Sequence, residues 1–203
     1  MRGELTDDQI KLLYVLYLTT GPTSFANRDK ERWAKETYLL AVACKGAEEG
    51  VFTYDYAPSL ALVGGAYMLI NISQECLNDL QVLAVKGLVE ILSLATKRHL
   101  YIRAYRISEE GQKLIEELRK NERIRGLFEE VKRLICCEHG EVMGARLRDI
   151  EEEVEGQKVH KKVIEMVCKQ GCRFRTNCLF DIEDVSYRSE PVSPWWGGRR
   201  DTR

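Results

Sequence analysis

The stretch Gly87–Leu118, GLVEILSLATKRHLYIRAYRISEEGQKLIEEL, most constrains what this chain can fold into. Its middle loses the 3.6-residue rhythm of the segments on either side. Two β-rich runs, 89–94 and 100–107, flank a short polar and basic break at 95–99. The pattern predicts a hairpin with a charged tip, entered from one helix and left by another. Ser108 is placed to cap the exit helix, and Glu109 and Glu110 put negative charge where the helix dipole favours it.

The residues before this stretch predict four helices. Thr6-Asp7-Asp8-Gln9 is a capping box, with Leu5 set to staple against Ile10, so the first helix runs from Asp7 to about Leu18. The second covers Asp29 to Lys45, the third Ala57 to Met68, and the fourth starts at Ser73 or Gln74 and ends near Lys86, with Gly87 at its C-cap. Helices, then a basic two-stranded wing, then a helix describe a winged helix-turn-helix. The expected class is therefore mainly α with a small β-hairpin wing. Beyond it, amphipathic patterns predict a break near Asn121 and helices over 141–155 and 157–170. The domain reading is 1–120 for the winged-helix unit, 121–182 for a helical, cysteine-containing region, and 183–203 for a flexible tail.

With 203 residues, 44% hydrophobic and 31% charged, the composition is that of a soluble globular protein. A net charge of −1 provides no global attraction to nucleic acid or anionic lipid, so a basic surface must be local. The N-terminal segment has no apolar signal-like run, and a cytoplasmic location is expected. Residues 56–74 carry no charge and nearly reach bilayer-spanning length, but Pro58, Gly64, Gly65 and Asn71 interrupt them. A buried core helix is the expectation there, with no membrane span.

Chemistry concentrates in the cysteines of the last third. Cys136-Cys137-Glu138-His139 precedes Cys168, Cys172 and Cys178, the latter three spaced C-x3-C-x5-C. Thiolates and an imidazole are the donors that Zn²⁺ or an iron–sulfur cluster takes, and Gly171 lets the chain turn so that Cys168 and Cys172 converge. Buried free thiols, and a labile disulfide, are the competing readings. The spacing resembles the one that holds a [4Fe-4S] cluster in nucleases of the AddB type, which usually have C-x2-C where this chain has C-x3-C.

Lys97, Arg98, Arg103 and Arg106 make the wing basic, while the fourth helix offers Gln74, Asn78 and Gln81 beside the acids Glu75 and Asp79. The basic residues suit phosphates and the amides suit base edges, which predicts double-stranded DNA as a partner. Trp195 and Trp196, in a Pro- and Gly-containing tail, are costly to leave in water and predict a protein contact. No P-loop, dinucleotide fingerprint or G-x-S-x-G motif occurs, and no catalytic residue is assigned.

From Leu77 to Leu118 the chain resembles the recognition helix, wing and following helix of winged-helix regulators of the MarR and PadR sort, through Leu80, Gly87-Leu88-Val89, Arg98 and Tyr105–Gly111. It is also similar to archaeal proteins of unknown function that contain winged-helix modules. The resemblance implies a transcriptional regulator that acts as a homodimer through helices outside the wing. The alternative is a non-catalytic protein-interaction module of the same shape within a larger assembly.

Overall fold

The computed structural model describes residues 4–21, 33–55, 57–63, 66–94, 102–154 and 157–176. The element order is α1 (Asp7–Thr20), β1 (Ala34–Lys35), α2 (Glu36–Glu48), β2 (Ala57–Val63), β3 (Ala66–Ile72), α3 (Gln74–Val85), β4 (Val89–Leu94), β5 (Ile102–Ile107), α4 (Glu109–Leu118), α5 (Glu122–Ile135), β6 (Gly144–Val154), β7 (Gln157–Val167) and β8 (Arg173–Thr176). The fold is mixed α/β, with five helices among the described residues, which corrects the expectation of a mainly α chain.

Helix α1 starts where the capping box places it: the Thr6 hydroxyl accepts from the Gln9 N–H, and the Gln9 side chain accepts from the Thr6 N–H. Every residue from Gln9 to Tyr17 is buried, including all of the apolar run Leu12–Tyr17. Two of its polar residues are satisfied inside: Gln9 donates to Asp79 at 2.7 Å, and Lys11 pairs with Glu130 at 3.2 Å. Tyr14 stacks on Phe128 of α5 with ring centroids 3.9 Å apart, so α1 and α5 share one core.

Around α1 lies a three-stranded antiparallel sheet of order β1-β5-β4. Ala34 pairs with Tyr105 and Lys35 with Ala104, while Val89 pairs with Ile107 across the predicted hairpin. Gly87, at φ +72°, turns the chain from α3 into β4. Ser108 then caps α4 by accepting from the Gly111 N–H, and its own hydroxyl donates to the Gly87 carbonyl. The start of α4 therefore rests directly on the α3–β4 turn.

Gly111 marks how close that approach is. A Cβ there would sit 2.3 Å from the Leu88 carbonyl oxygen and 2.8 Å from Ile107. Alanine is worth up to about 1 kcal/mol over glycine in an open helix. Here the backbone clash outweighs it, and Gly111→Ala is expected to lower stability by about 1–3 kcal/mol. Urea denaturation of the two proteins measures the difference.

Four expected helices are corrected. The second begins at Glu36 rather than Asp29, and residues 22–32 lie outside the described set. The third is absent: β2 and β3 form an antiparallel hairpin in which Val63 pairs with Ala66, leaving only Gly64 and Gly65 between them. A two-residue Gly-Gly connection is a hairpin signal, and it prevails over the apolar spacing that mimicked a helix. The helices over 141–155 and 157–170 are strands β6 and β7, paired from Gly144↔Val167 to Val154↔Gln157, with β8 added from Arg173.

The physical reason is visible in the register. Glu153 lies opposite Lys158 and Asp149 opposite Lys162, while Glu151 and Lys158 form an ion pair at 3.1 Å. Opposite charges facing across strands favour that pairing. Val159, Val163, Ile164 and Val167 give β7 its β-branched character. No helix among the described residues is long and apolar enough to cross a membrane.

Candidate functional site

Two tight turns bring the site together. The first grows from the end of α5. Lys45, buried on α2, donates to the Leu134 carbonyl at 2.8 Å and so satisfies one of the orphan acceptors in the last helical turn. The chain then leaves the helix at Cys136, which forms a β-bridge with Val142. Between them the Cys137 N–H donates to Glu141 and the Gly140 N–H to the Cys137 carbonyl, at 2.9 and 2.8 Å. Gly140 takes φ +73°, a conformation open to glycine at little cost. Cys137 and His139 are thereby held on one small loop.

The second turn joins β7 to β8. The Cys168 N–H donates to the Cys172 carbonyl at 3.1 Å, and the Cys172 N–H returns a bond to the Cys168 sulfur at 3.3 Å. Gly171, at φ +94°, closes the loop, as the sequence predicts.

Facing each other, these turns bring the donor atoms of Cys137, His139, Cys168 and Cys172 within 4.8 Å of one another. His139 Nδ1 lies 3.4 Å from Cys172 Sγ and 4.0 Å from Cys137 Sγ. Cys168 is buried, Cys137 and Cys172 are half-buried, and His139 is exposed. Burial works against the Cys168 thiolate, but hydrogen bonds from Cys172, from the backbone at Cys172 and Gln170, and from Cys137 prevail and bring its pKa below the ordinary thiol value. Its partner takes the opposite shift. Cys172 is pushed up to about 12, first by its hydrogen bond to Cys168, then by burial and by negative charge on Cys168. A soft cation bound to both sulfurs would displace the proton that Cys172 retains.

Of the six predicted ligands, four converge. Cys136 lies outside the four-ligand set, at the α5 C-cap, where burial raises its pKa. Cys178 lies outside the described residues, as do Lys97, Arg98, Trp195 and Trp196. The thiols at 76, 136, 137, 168 and 172 are free, whereas Cys44 is disulfide-bonded.

The predicted nucleic-acid face is partly drawn together. Gln74, Asn78, Gln81 and Val85 are all exposed and follow at steps of four, three and four, which is one stripe of α3. Gln74 donates to Asn78 at 3.1 Å. The opposite side buries Cys76, Leu80 and Leu83. The acids that count against this helix are engaged elsewhere: Asp79 accepts from Gln9 and from the Tyr54 hydroxyl, and Glu75 accepts from the Asp55 N–H at 2.8 Å. Sequence inspection weighs those acids as surface charge because their partners are distant in the chain. On β5, Arg103 is exposed and lies 3.9 Å from Glu36, while Arg106 pairs with Glu90 and stacks 4.7 Å over Trp33.

Three thiols and an imidazole on two facing turns make this an α/β protein equipped to hold a metal ion. Over residues 8–164 the chain matches the Uncharacterized protein MJ1567 family, and it belongs to that family. The match includes Cys137 and His139 and ends four residues before Cys168. No curated protein and no solved structure matches the chain.

Proposed function

We infer that the chain is a winged-helix protein that binds double-stranded DNA, in the manner of a transcriptional regulator, and that one structural Zn²⁺ fixes its C-terminal sheet. The DNA reading rests on the exposed amide stripe of α3, Gln74, Asn78 and Gln81, which precedes the β4–β5 hairpin directly in the chain. Asparagine and glutamine suit bidentate contact with adenine, and Val85 at the end of the stripe suits a thymine methyl. The order α1, β1, α2, α3, β4, β5, with β1 paired to β5, supports the winged-helix assignment, and the β2–β3 hairpin is an insertion before α3.

For the metal, ligand spacing favours a single ion. A tetrahedral Zn²⁺ with Zn–S bonds near 2.3 Å holds its donors roughly 3.5–4 Å apart. The 4.8 Å spread lies near that value. A cubane cluster binds each ligand through a different iron and needs wider spacing. Three thiolates and one histidine also form a closed set, which suits a structural rather than a catalytic ion.

Fluorescence anisotropy with labelled duplex DNA tests the DNA reading. Binding is expected at about 50 mM salt, with a log–log salt slope of about −2 to −4 and loss of affinity in Lys97→Ala/Arg98→Ala. Asn78→Ala is expected to reduce discrimination between duplexes by about 1–3 kcal/mol. Absence of binding at low salt overturns the reading. It would leave the stripe as a protein-docking surface, for which Val85, 78% exposed, and Ile91, 38% exposed, are the apolar anchors.

A further inference from the structure

The hairpin β2–β3 stands apart from both other sheets: its two strands pair with each other, and no other described strand joins them. Residues 57–72 contain no charged side chain. The register pairs Leu60 with Leu69, Ala61 with Met68 and Ser59 with Ile70, and the sequence of the two strands lacks the polar alternation of a solvated hairpin. A two-stranded hairpin is marginal alone in water, and soluble proteins guard exposed strand edges with charge, proline or a bulge.

Here one edge is guarded and the other is bare. Pro58 has no N–H, and it is paired with Asn71 in an unbroken register. It therefore belongs where the backbone N–H of β2 faces away from β3. That assigns residues 58, 60 and 62 to the outer edge of β2, with a donor missing. It also assigns Tyr67, Leu69 and Asn71 to the outer edge of β3, which has neither proline nor charge along Ala66–Ile72.

We propose that the outer edge of β3 pairs antiparallel with β3 of a second copy of this chain, forming a continuous sheet of order β2-β3-β3-β2 about a twofold axis. Leu69 is central in the outward row, so it meets its own equivalent at the axis and Tyr67 lies opposite Asn71 of the other copy. A strand that pairs with itself sets each charge near its own copy, and like charges across strands are destabilising. The neutrality of β3 removes that barrier. An anionic membrane is a poorer occupant, because Asp55 and Glu75 flank the hairpin and no basic residue lies within it.

Multi-angle light scattering of the full chain through a dilution series tests the pairing, together with residue-resolved amide exchange. The expected result is a mass of twice the chain that halves on dilution. Slow exchange is expected at Tyr67, Leu69 and Asn71 in the dimer and at least tenfold faster exchange after dissociation, while Leu60 and Leu62 exchange fast throughout. Leu69→Pro and Leu60→Pro each remove one outward N–H and no bond of the hairpin. Leu69→Pro is expected to halve the mass and Leu60→Pro to leave it unchanged. A monomer at every concentration overturns the proposal, as does a dimer in which the Tyr67, Leu69 and Asn71 amides exchange as fast as those of β2. Sedimentation of monomeric chain with anionic phosphatidylserine vesicles overturns it in favour of lipid.

Discussion

Removal of zinc is expected to release the C-terminal sheet while the helical core stays folded. The chain purified under reducing conditions is expected to carry one Zn²⁺ per molecule by elemental analysis. After treatment with a strong chelator, amide exchange should accelerate along Met166–Cys172, while the amides of α1 and α5 remain protected. The contrast follows from what holds each part. Helices α1 and α5 share a core that includes Tyr14, Phe128, Val131 and Leu134, whereas the β7–β8 turn joins that core only at its start, through Met166 and Cys168, and Cys172 packs at its margin beside Cys137 and His139. Cys168→Ser or Cys172→Ser is expected to weaken zinc binding by more than about a hundredfold, beyond the 10–100-fold typical of losing an outer partner. Metal-free chain with unchanged exchange in the β7–β8 turn would sink the assignment.

Phe128→Ala is expected to cost about 3–5 kcal/mol in chemical denaturation. Its ring stacks on Tyr14 at 3.9 Å, and Tyr14 in turn lies 5.9 Å from Tyr17, so the truncation opens a cavity between two helices rather than at an edge. Phe128→Leu should recover more than half of the loss. The change also bears on the metal, since α5 carries Cys136 and Cys137 at its end. Zinc affinity is expected to fall in Phe128→Ala and to return in Phe128→Leu; equal affinity in all three proteins would show that the two regions are uncoupled.

Much of the helical body was legible in the sequence because its signals are local. Thr6, Ser73, Ser108 and Asn121 each accept from backbone N–H groups at the helix starts they mark, and Gly87 has the positive φ its position requires. The amphipathic pattern of α5 buries Ile124, Phe128, Val131, Leu134 and Ile135 as the spacing demands. The two long hairpins were misread because their apolar residues fall at steps of three and four by coincidence. Leu147, Ile150 and Val154 trace a helical face on paper, yet each is paired across β6 and β7. Register depends on a partner strand, and no local window contains it. The cysteine set was legible as chemistry but not as geometry: spacing shows which residues are soft donors, while the facing of the Cys137 and Cys168 turns follows from tertiary packing. The engagement of Asp79 by Gln9 and Tyr54 was hidden for the same reason.

The two halves of the ligand set also differ in when they exist. Cys168 follows His139 by 29 positions, and all of β6 and β7 lies between them. At a synthesis rate of about 5–20 residues per second, the first half leaves the ribosome roughly 1.5–6 s before the second. Throughout that interval Cys137 and His139 have no Cys168–Cys172 pair to complete the site. Completion of the four-residue set therefore waits on the whole of the long hairpin.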